Sequence, residues 1–122
     1  MLTGVGCDLI EIERVKKACE KEAFLLRVYT ENERRQADGR PSVLAGTFAV
    51  KEVVAKVFGT GFRGFELKDV EVLRDELGKP YVVLHGNAKL LAEEKRIRKI
   101  EVSISNTKEH AMAFAVGEGD EA

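Results

Sequence analysis

An aspartate at position 8 interrupts an apolar run, Val5-Gly6-Cys7-Asp8-Leu9-Ile10, and a second carboxylate, Glu52, lies four residues before Lys56. A carboxylate in an apolar strand is costly unless it is paired or binds a cation. Glycines at positions 4 and 6 would let another group approach the backbone closely. Glu52 and Lys56 are four apart, so they share one helical face. A carboxylate ligand one turn from a cation suits a phosphate substrate. Mg²⁺ takes one or two carboxylates and completes its octahedron with water and phosphate oxygens, while a lysine meets the same phosphates as a point charge. Gly59-Thr60-Gly61 follows directly, and Gly-rich loops bring backbone N–H groups near phosphates. Taken singly, each feature also has an ordinary structural reading. Asp8 could cap the next helix, Lys51-Glu52 and Lys56 could be solvated charges, and the glycines could end a helix. Arg14, Lys17 and Lys21 recur at i, i+3 and i+7. With Arg27 they form a local basic face that would need an acidic partner.

The elements that must position these groups follow from periodicity and stop signals. Leu2 to Ile10 reads as a strand. Glu11 to Glu20 reads as a helix with Ile12, Val15 and Cys19 on one face. Thr30 with Glu33 is a capping-box signature for a short helix through Gln36. Asp38 to Arg40 is a break, and Pro41 suits the first turn of a helix over Ser42 to Phe58, which Gly59 ends. Asp69 to Arg74 and Tyr81 to Leu84 alternate as strands about a turn at Glu76 to Pro80. Asn87 is placed to cap a helix through about Arg96. Glu101 to Ser105 and Ala111 to Val116 read as a closing hairpin. This order predicts an α+β fold, a small mostly antiparallel sheet packed on a long helix.

The chain of 122 residues suits a single domain, 1–122. Its 44% hydrophobic and 34% charged residues describe a globular molecule with a heavily charged surface. A net charge of −1 gives no global field toward nucleic acid or membrane, and no apolar run approaches the ~20 residues of a membrane span. Cys7 and Cys19 without a signal-like N-terminus read as reduced thiols, and a cytoplasmic location is expected. Gln36 is the sole glutamine, and only Asn32, Asn87 and Asn106 are asparagines, a composition suited to high temperature.

The order and spacing of these pieces carry more than any one of them. Gly4 to Ile10, then Leu44 to Gly61, then Gly78-Lys79-Pro80, then Val102 to Glu109 together resemble the holo-[acyl-carrier-protein] synthase family, the short single-domain 4′-phosphopantetheinyl transferases. The specific parts are Gly6, Asp8 and Arg14 in the first segment and Lys51 to Gly61 in the second, and the likeness spans nearly the whole chain. It implies a 4′-phosphopantetheinyl transferase-like fold and transfer of phosphopantetheine from coenzyme A to a serine of apo acyl carrier protein, releasing adenosine 3′,5′-bisphosphate. It implies Mg²⁺ on Asp8 and Glu52, with Lys56 catalytic and in contact with phosphate. A metal-bound water or one of the carboxylates would take the serine proton. It implies a coenzyme A nucleotide surrounded by Gly59, Thr60, Gly61, Lys79, Pro80, Ser105, Asn106 and Thr107, and a carrier protein docked on Arg14, Lys17, Lys21 and Arg27. It further implies a homotrimer with active sites between subunits.

Two positions depart from the family. Thr47 stands where members usually carry arginine, and Asn106 where the motif usually reads Ser-His. Each unreplaced charge-assisted contact would cost about 1.5–3 kcal/mol of coenzyme A binding. Lys108 or Arg63 is the expected substitute, and equal activity on coenzyme A and dephospho-coenzyme A is the expected sign of a weakened phosphate grip. The alternative these departures support is a non-catalytic carrier-protein or nucleotide-binding relative. A different Mg²⁺-dependent phosphotransferase would need a phosphate cradle such as GxxxxGK[ST], which the chain lacks.

Overall fold

The computed structural model describes residues 1–120. Strand β1 (Leu2–Glu11) leads into α1 (Ile12–Cys19), α2 (Glu22–Val28), α3 (Glu31–Ala37) and the long α4 (Pro41–Phe58). A 3₁₀ turn at Leu67–Asp69 precedes β2 (Val70–Arg74) and β3 (Pro80–Leu84). Helix α5 (Gly86–Glu94) and strands β4 (Ile97–Asn106) and β5 (His110–Gly119) complete the fold. The strands form two antiparallel sheets, one of order β1-β5-β4 and one the β2-β3 hairpin. The α+β class is as expected; the division into two sheets flanking α4 is new.

Helix α4 is the axis of the core. Ala45, Ala49, Val50, Val53 and Val54 are fully buried, and β5 turns the small residues Ala111, Ala113 and Ala115 toward the interior. Small side chains let helix and sheet approach closely. Glycines do the same for β1: a Cβ at Gly4 would meet the Val57 carbonyl oxygen at 2.6 Å, and one at Gly6 would meet Val53 O at 2.5 Å. The motif glycines are therefore contact points with α4, and they bring β1 beside the helix face that carries Lys56.

Several boundaries differ from the periodic reading. Helix α1 ends at Cys19, within one residue of the reading, but a separate α2 that the reading did not contain follows it, with Lys21 as its N-cap. Val28 anchors α2 in the core, and Phe24 packs on Phe48 with ring centroids 6.2 Å apart. Helix α5 begins at Gly86 with His85 as N-cap, so Asn87 lies inside the helix and does not cap it. Strands β4 and β5 run further than hydropathy alternation suggests, because ladder pairing continues from Glu101↔Val116 to Ile97↔Gly119 through a bulge at Ile97/Lys99. Hydrogen bonding, which hydropathy does not report, carries the sheet past the exposed Arg98 and Lys99. Among the described residues, no helix is long and apolar enough to cross a membrane.

Candidate active site

Asp8, Glu52 and Lys56 come together where β1 crosses α4. Lys56 Nζ donates to the Cys7 carbonyl oxygen at 2.8 Å and stands 3.8 Å from Asp8 Oδ1. Glu52 and Lys56, read as sharing one helical face, form no ion pair with each other among the described residues; Lys56 leans to β1 instead. Glu52 nonetheless senses both neighbours. Burial and the like charge of Asp8 push its carboxyl above the ordinary glutamate range, against the opposing pull of Lys56. Asp8 is not enclosed in an apolar strand. The outward residues of β1, among them Val5 and Leu9, are exposed, and the Asp8 side chain is 24% exposed on the face toward α4.

This pair of carboxylates suits a hard dication that retains an open coordination sphere. Both belong to rigid elements, and neither accepts a hydrogen bond among the described residues. Their repulsion would be relieved by a cation. Among the described residues no group of three or more His, Cys, Asp or Glu side chains forms a closed metal cage. Two ligands with water and phosphate oxygens completing the shell is the Mg²⁺ pattern.

Lys51, adjacent to Glu52, faces elsewhere. Its Nζ is fully buried and is 2.9 Å from Glu33 Oε2, 2.9 Å from Leu67 O and 2.6 Å from Val70 O. Glu33 also accepts from Thr30 N at 2.8 Å and Val72 N at 2.7 Å. The capping box read from Thr30 and Glu33 is present, and its glutamate doubles as the ion-pair partner of Lys51. Beside it Glu71 accepts from Thr30 Oγ1 at 2.6 Å and faces His85 Nε2 at 3.0 Å.

The other sequence-derived positions spread along two further surfaces. Gly59 caps α4 in the left-handed region at φ 78°, and Thr60 Oγ1 donates to Gly61 O at 3.1 Å. Lys79 N is fixed by Asp75 Oδ1 at 2.9 Å in the turn before Pro80. Thr107 Oγ1 accepts from His110 N at 3.0 Å and shapes the β4–β5 turn, next to Ser105 and Asn106 at the end of β4. Ser42, Val43, Arg74, Gly78, Pro80, Ile104 and Asn106 line a cavity of about 220 Å³. Arg74, which sequence reasoning passed over, is the cation against Thr47: its Nη1 donates to Thr47 Oγ1 at 2.8 Å. Neither Lys108 nor Arg63 lines this cavity. The signal for Arg74 was its place four residues before Gly78, at the mouth of the β2–β3 turn.

Arg14 lines a separate cavity of about 490 Å³ with Leu9, Ile10, Val15, Phe24 and Phe48. Lys17 shares α1 with it, whereas Lys21 lies outside that helix, so the i, i+3, i+7 stripe is broken. Arg27 sits on α2 with its guanidinium 5.8 Å from the Phe24 ring.

A small α+β domain in which a strand carboxylate meets a carboxylate and a lysine of a long central helix is the class defined by this geometry. Residues 4–115 match the family model of the 4′-phosphopantetheinyl transferase superfamily, and the chain belongs to that family. It is 52% identical over 118 residues to the holo-[acyl-carrier-protein] synthase of Lachnoclostridium phytofermentans, covering 97% of both chains. It is similar to the crystal structure of the Neisseria meningitidis holo-[acyl-carrier-protein] synthase, with TM-score 0.88, 31% identity and coverage of 97% of this chain and 99% of that one. It also resembles a holo-(acyl-carrier-protein) synthase of Bacillus anthracis solved in complex with CoA (3′,5′-ADP), with TM-score 0.81, 34% identity and coverage of 98% and 99%.

Proposed function

We propose that the chain transfers the 4′-phosphopantetheine group of coenzyme A to a serine hydroxyl of apo acyl carrier protein, giving the holo protein and adenosine 3′,5′-bisphosphate. The observation that carries this reading is the meeting of Asp8, Glu52 and Lys56 in a chain of this family. Asp8 and Glu52 are the residues that would hold Mg²⁺. Bound there, the ion would neutralise pyrophosphate charge and orient it. Lys56 is already anchored by one hydrogen bond to Cys7 O, which leaves ammonium donors for a phosphate oxygen. Its role is to stabilise, and to protonate, the phosphate that leaves when the serine oxygen bonds to the β-phosphorus. Gly59, Thr60, Gly61, Lys79, Pro80, Ser105, Asn106 and Thr107 surround the nucleotide in this reading.

Arg14, Lys17, Lys21 and Arg27 serve the carrier protein, whose acidic surface would meet α1, α2 and their junction. The chain acts as one domain over residues 1–122, in the cytoplasm, as a homotrimer with active sites between subunits. The outer face of the three-stranded sheet supports that assembly. Val5, Leu9, Met112 and Phe114 are exposed there, with Leu9 paired to Met112 across the ladder, and a contiguous apolar face of this kind suits subunit packing. The non-catalytic alternative drew on Thr47 and Asn106. The cation missing at position 47 is present from Arg74, which weakens that alternative.

The test is incubation with apo acyl carrier protein, coenzyme A and Mg²⁺, read by mass spectrometry. The expected result is a carrier-protein mass increase of one phosphopantetheine. No increase, alongside an active control enzyme, would reject the reading.

A further inference from the structure

Arg74 is cationic and partly buried, and it has no ion-pair partner among the described residues. Its Nη1 donates to Thr47 Oγ1 at 2.8 Å and its Nη2 to Val43 O at 3.4 Å. Both acceptors are neutral, and among the described residues no carboxylate lies within ion-pair distance of it. A guanidinium carries five donors, so most of its capacity is unused. Burial, and after it the like charge of Arg40, hold the Arg74 guanidinium below the ordinary arginine range, against the opposing pull of Glu33. Among the described residues the Arg40 side chain donates to the carbonyls of Ala37 and Gln36 and to no carboxylate. Two neighbouring guanidinium groups with no carboxylate in ion-pair contact among the described residues repel each other and favour an anion between or beside them.

The geometry around Arg74 is fixed on three sides. The Gln36 side-chain amide accepts from Arg74 N at 2.8 Å and donates to Arg74 O at 3.0 Å, which pins the end of β2. Thr47 receives the guanidinium. Gly46 leaves room for it, since a Cβ there would stand 3.1 Å from Arg74 Nη2 and 3.1 Å from Ile104 Cγ2. The cavity of about 220 Å³ beside it is lined also by Ser42, Gly78, Pro80 and Asn106. That is space for several waters, and so for a phosphoryl group.

We propose that Arg74 reads a phosphate monoester of the bound nucleotide, the 3′-phosphate of coenzyme A, with Thr47 as its positioning residue. The proposal rests on the transferase reading above. It reverses the expectation of equal activity on coenzyme A and dephospho-coenzyme A: the cation at position 74 replaces the one absent at 47, so the 3′-phosphate is recognised.

The experiment compares the full chain with Arg74→Gln and Thr47→Val, measuring kcat and KM with coenzyme A and with dephospho-coenzyme A. Binding of adenosine 3′,5′-bisphosphate and of 5′-AMP is measured by calorimetry on the same proteins. Wild type should favour coenzyme A and bind the bisphosphate more tightly than 5′-AMP. Arg74→Gln should raise KM for coenzyme A about 10- to 100-fold, with kcat and the KM for dephospho-coenzyme A nearly unchanged. Thr47→Val, which keeps the arginine but releases Nη1, should move KM for coenzyme A alone by about three- to tenfold. Equal effects on both donors, or none, would overturn the assignment. If no protein transfers from either donor, the transferase reading fails, and calorimetry still decides the site. Loss of bisphosphate affinity in Arg74→Gln without loss of 5′-AMP affinity supports it, and unchanged bisphosphate affinity rejects it.

Discussion

Lys51 and Glu52 are neighbours in sequence and occupy opposite kinds of place. Lys51 is fully buried with three oxygen acceptors, Glu33, Leu67 O and Val70 O, which match the three donors of an ammonium. Glu33 in turn is satisfied by Thr30 N, Val72 N and Lys51. Burial pushes the Glu33 carboxyl up and the Lys51 ammonium down, and their mutual attraction opposes both changes. Nothing in that network is left to bind a ligand. Glu52, ~100° around the same helix, faces Asp8 and Lys56 with oxygens that accept no hydrogen bond among the described residues. Both places combine carboxylate and lysine, yet one is closed and structural and the other open and suited to a cation and phosphate. What separates them is whether the hydrogen-bonding capacity of the group is filled.

The contrast can be broken at either end. The largest effect should come from Lys51→Met, which leaves Glu33 buried without its partner and should cost about 3–5 kcal/mol of stability, read from urea unfolding. Adding Glu33→Leu should recover part of the loss; strictly additive losses would mean the two groups do not act as a pair. Glu52→Gln should lower phosphopantetheine transfer by about 10²- to 10³-fold, roughly 3–4 kcal/mol of transition-state stabilisation. It should leave the melting temperature of the unliganded protein nearly unchanged, and Mg²⁺ with coenzyme A should no longer raise that temperature. Collapse of the fold in this variant would contradict the open-site description.

A pH series sharpens the structural side. For Glu71, burial acts upward but is outweighed by the hydrogen bonds from Thr30 and His85, so its folded pKa lies below the ordinary value. A carboxyl depressed on folding contributes stability that is present above its unfolded pKa, about 4.3, and lost as pH falls through the folded value. The unfolding midpoint of wild type should therefore drop more steeply than that of Glu71→Gln as pH is lowered from about 5. Parallel curves would show that the Glu71 contacts add nothing. The smallest stability change belongs to Lys56→Met. Its pair with Asp8 is long and half-exposed, so the unfolding free energy should change by less than about 1 kcal/mol, while transfer activity falls sharply.

Much of the frame was legible before any coordinates. Pro41 and Gly59 bracket α4 as read, and the Thr30–Glu33 capping box is in place. Each signal lies within a few residues of the element it marks. The end of the first helix was read to within one residue, but α2 was missed, because Phe24 and Val28 find their partners on other elements. The extensions of β4 and β5 were missed for the same reason, since their pairing partners lie across the sheet. In the site, residue types and spacing singled out Asp8, Glu52 and Lys56. Spacing put Glu52 and Lys56 on one helical face, but it did not show that β1 supplies the acceptors for Lys56.

By itself the sequence determined which side chains could do chemistry and which local elements carry them, because caps, stops and helical spacing are properties of neighbouring residues. Only the tertiary structure decided which lysine is closed into the core and which stays open. It also decided that the cation at Thr47 arrives from position 74. Both outcomes depend on partners more than fifteen residues away, Glu33 for Lys51 and Arg74 for Thr47, and local sequence carries no record of what packing brings across such a distance.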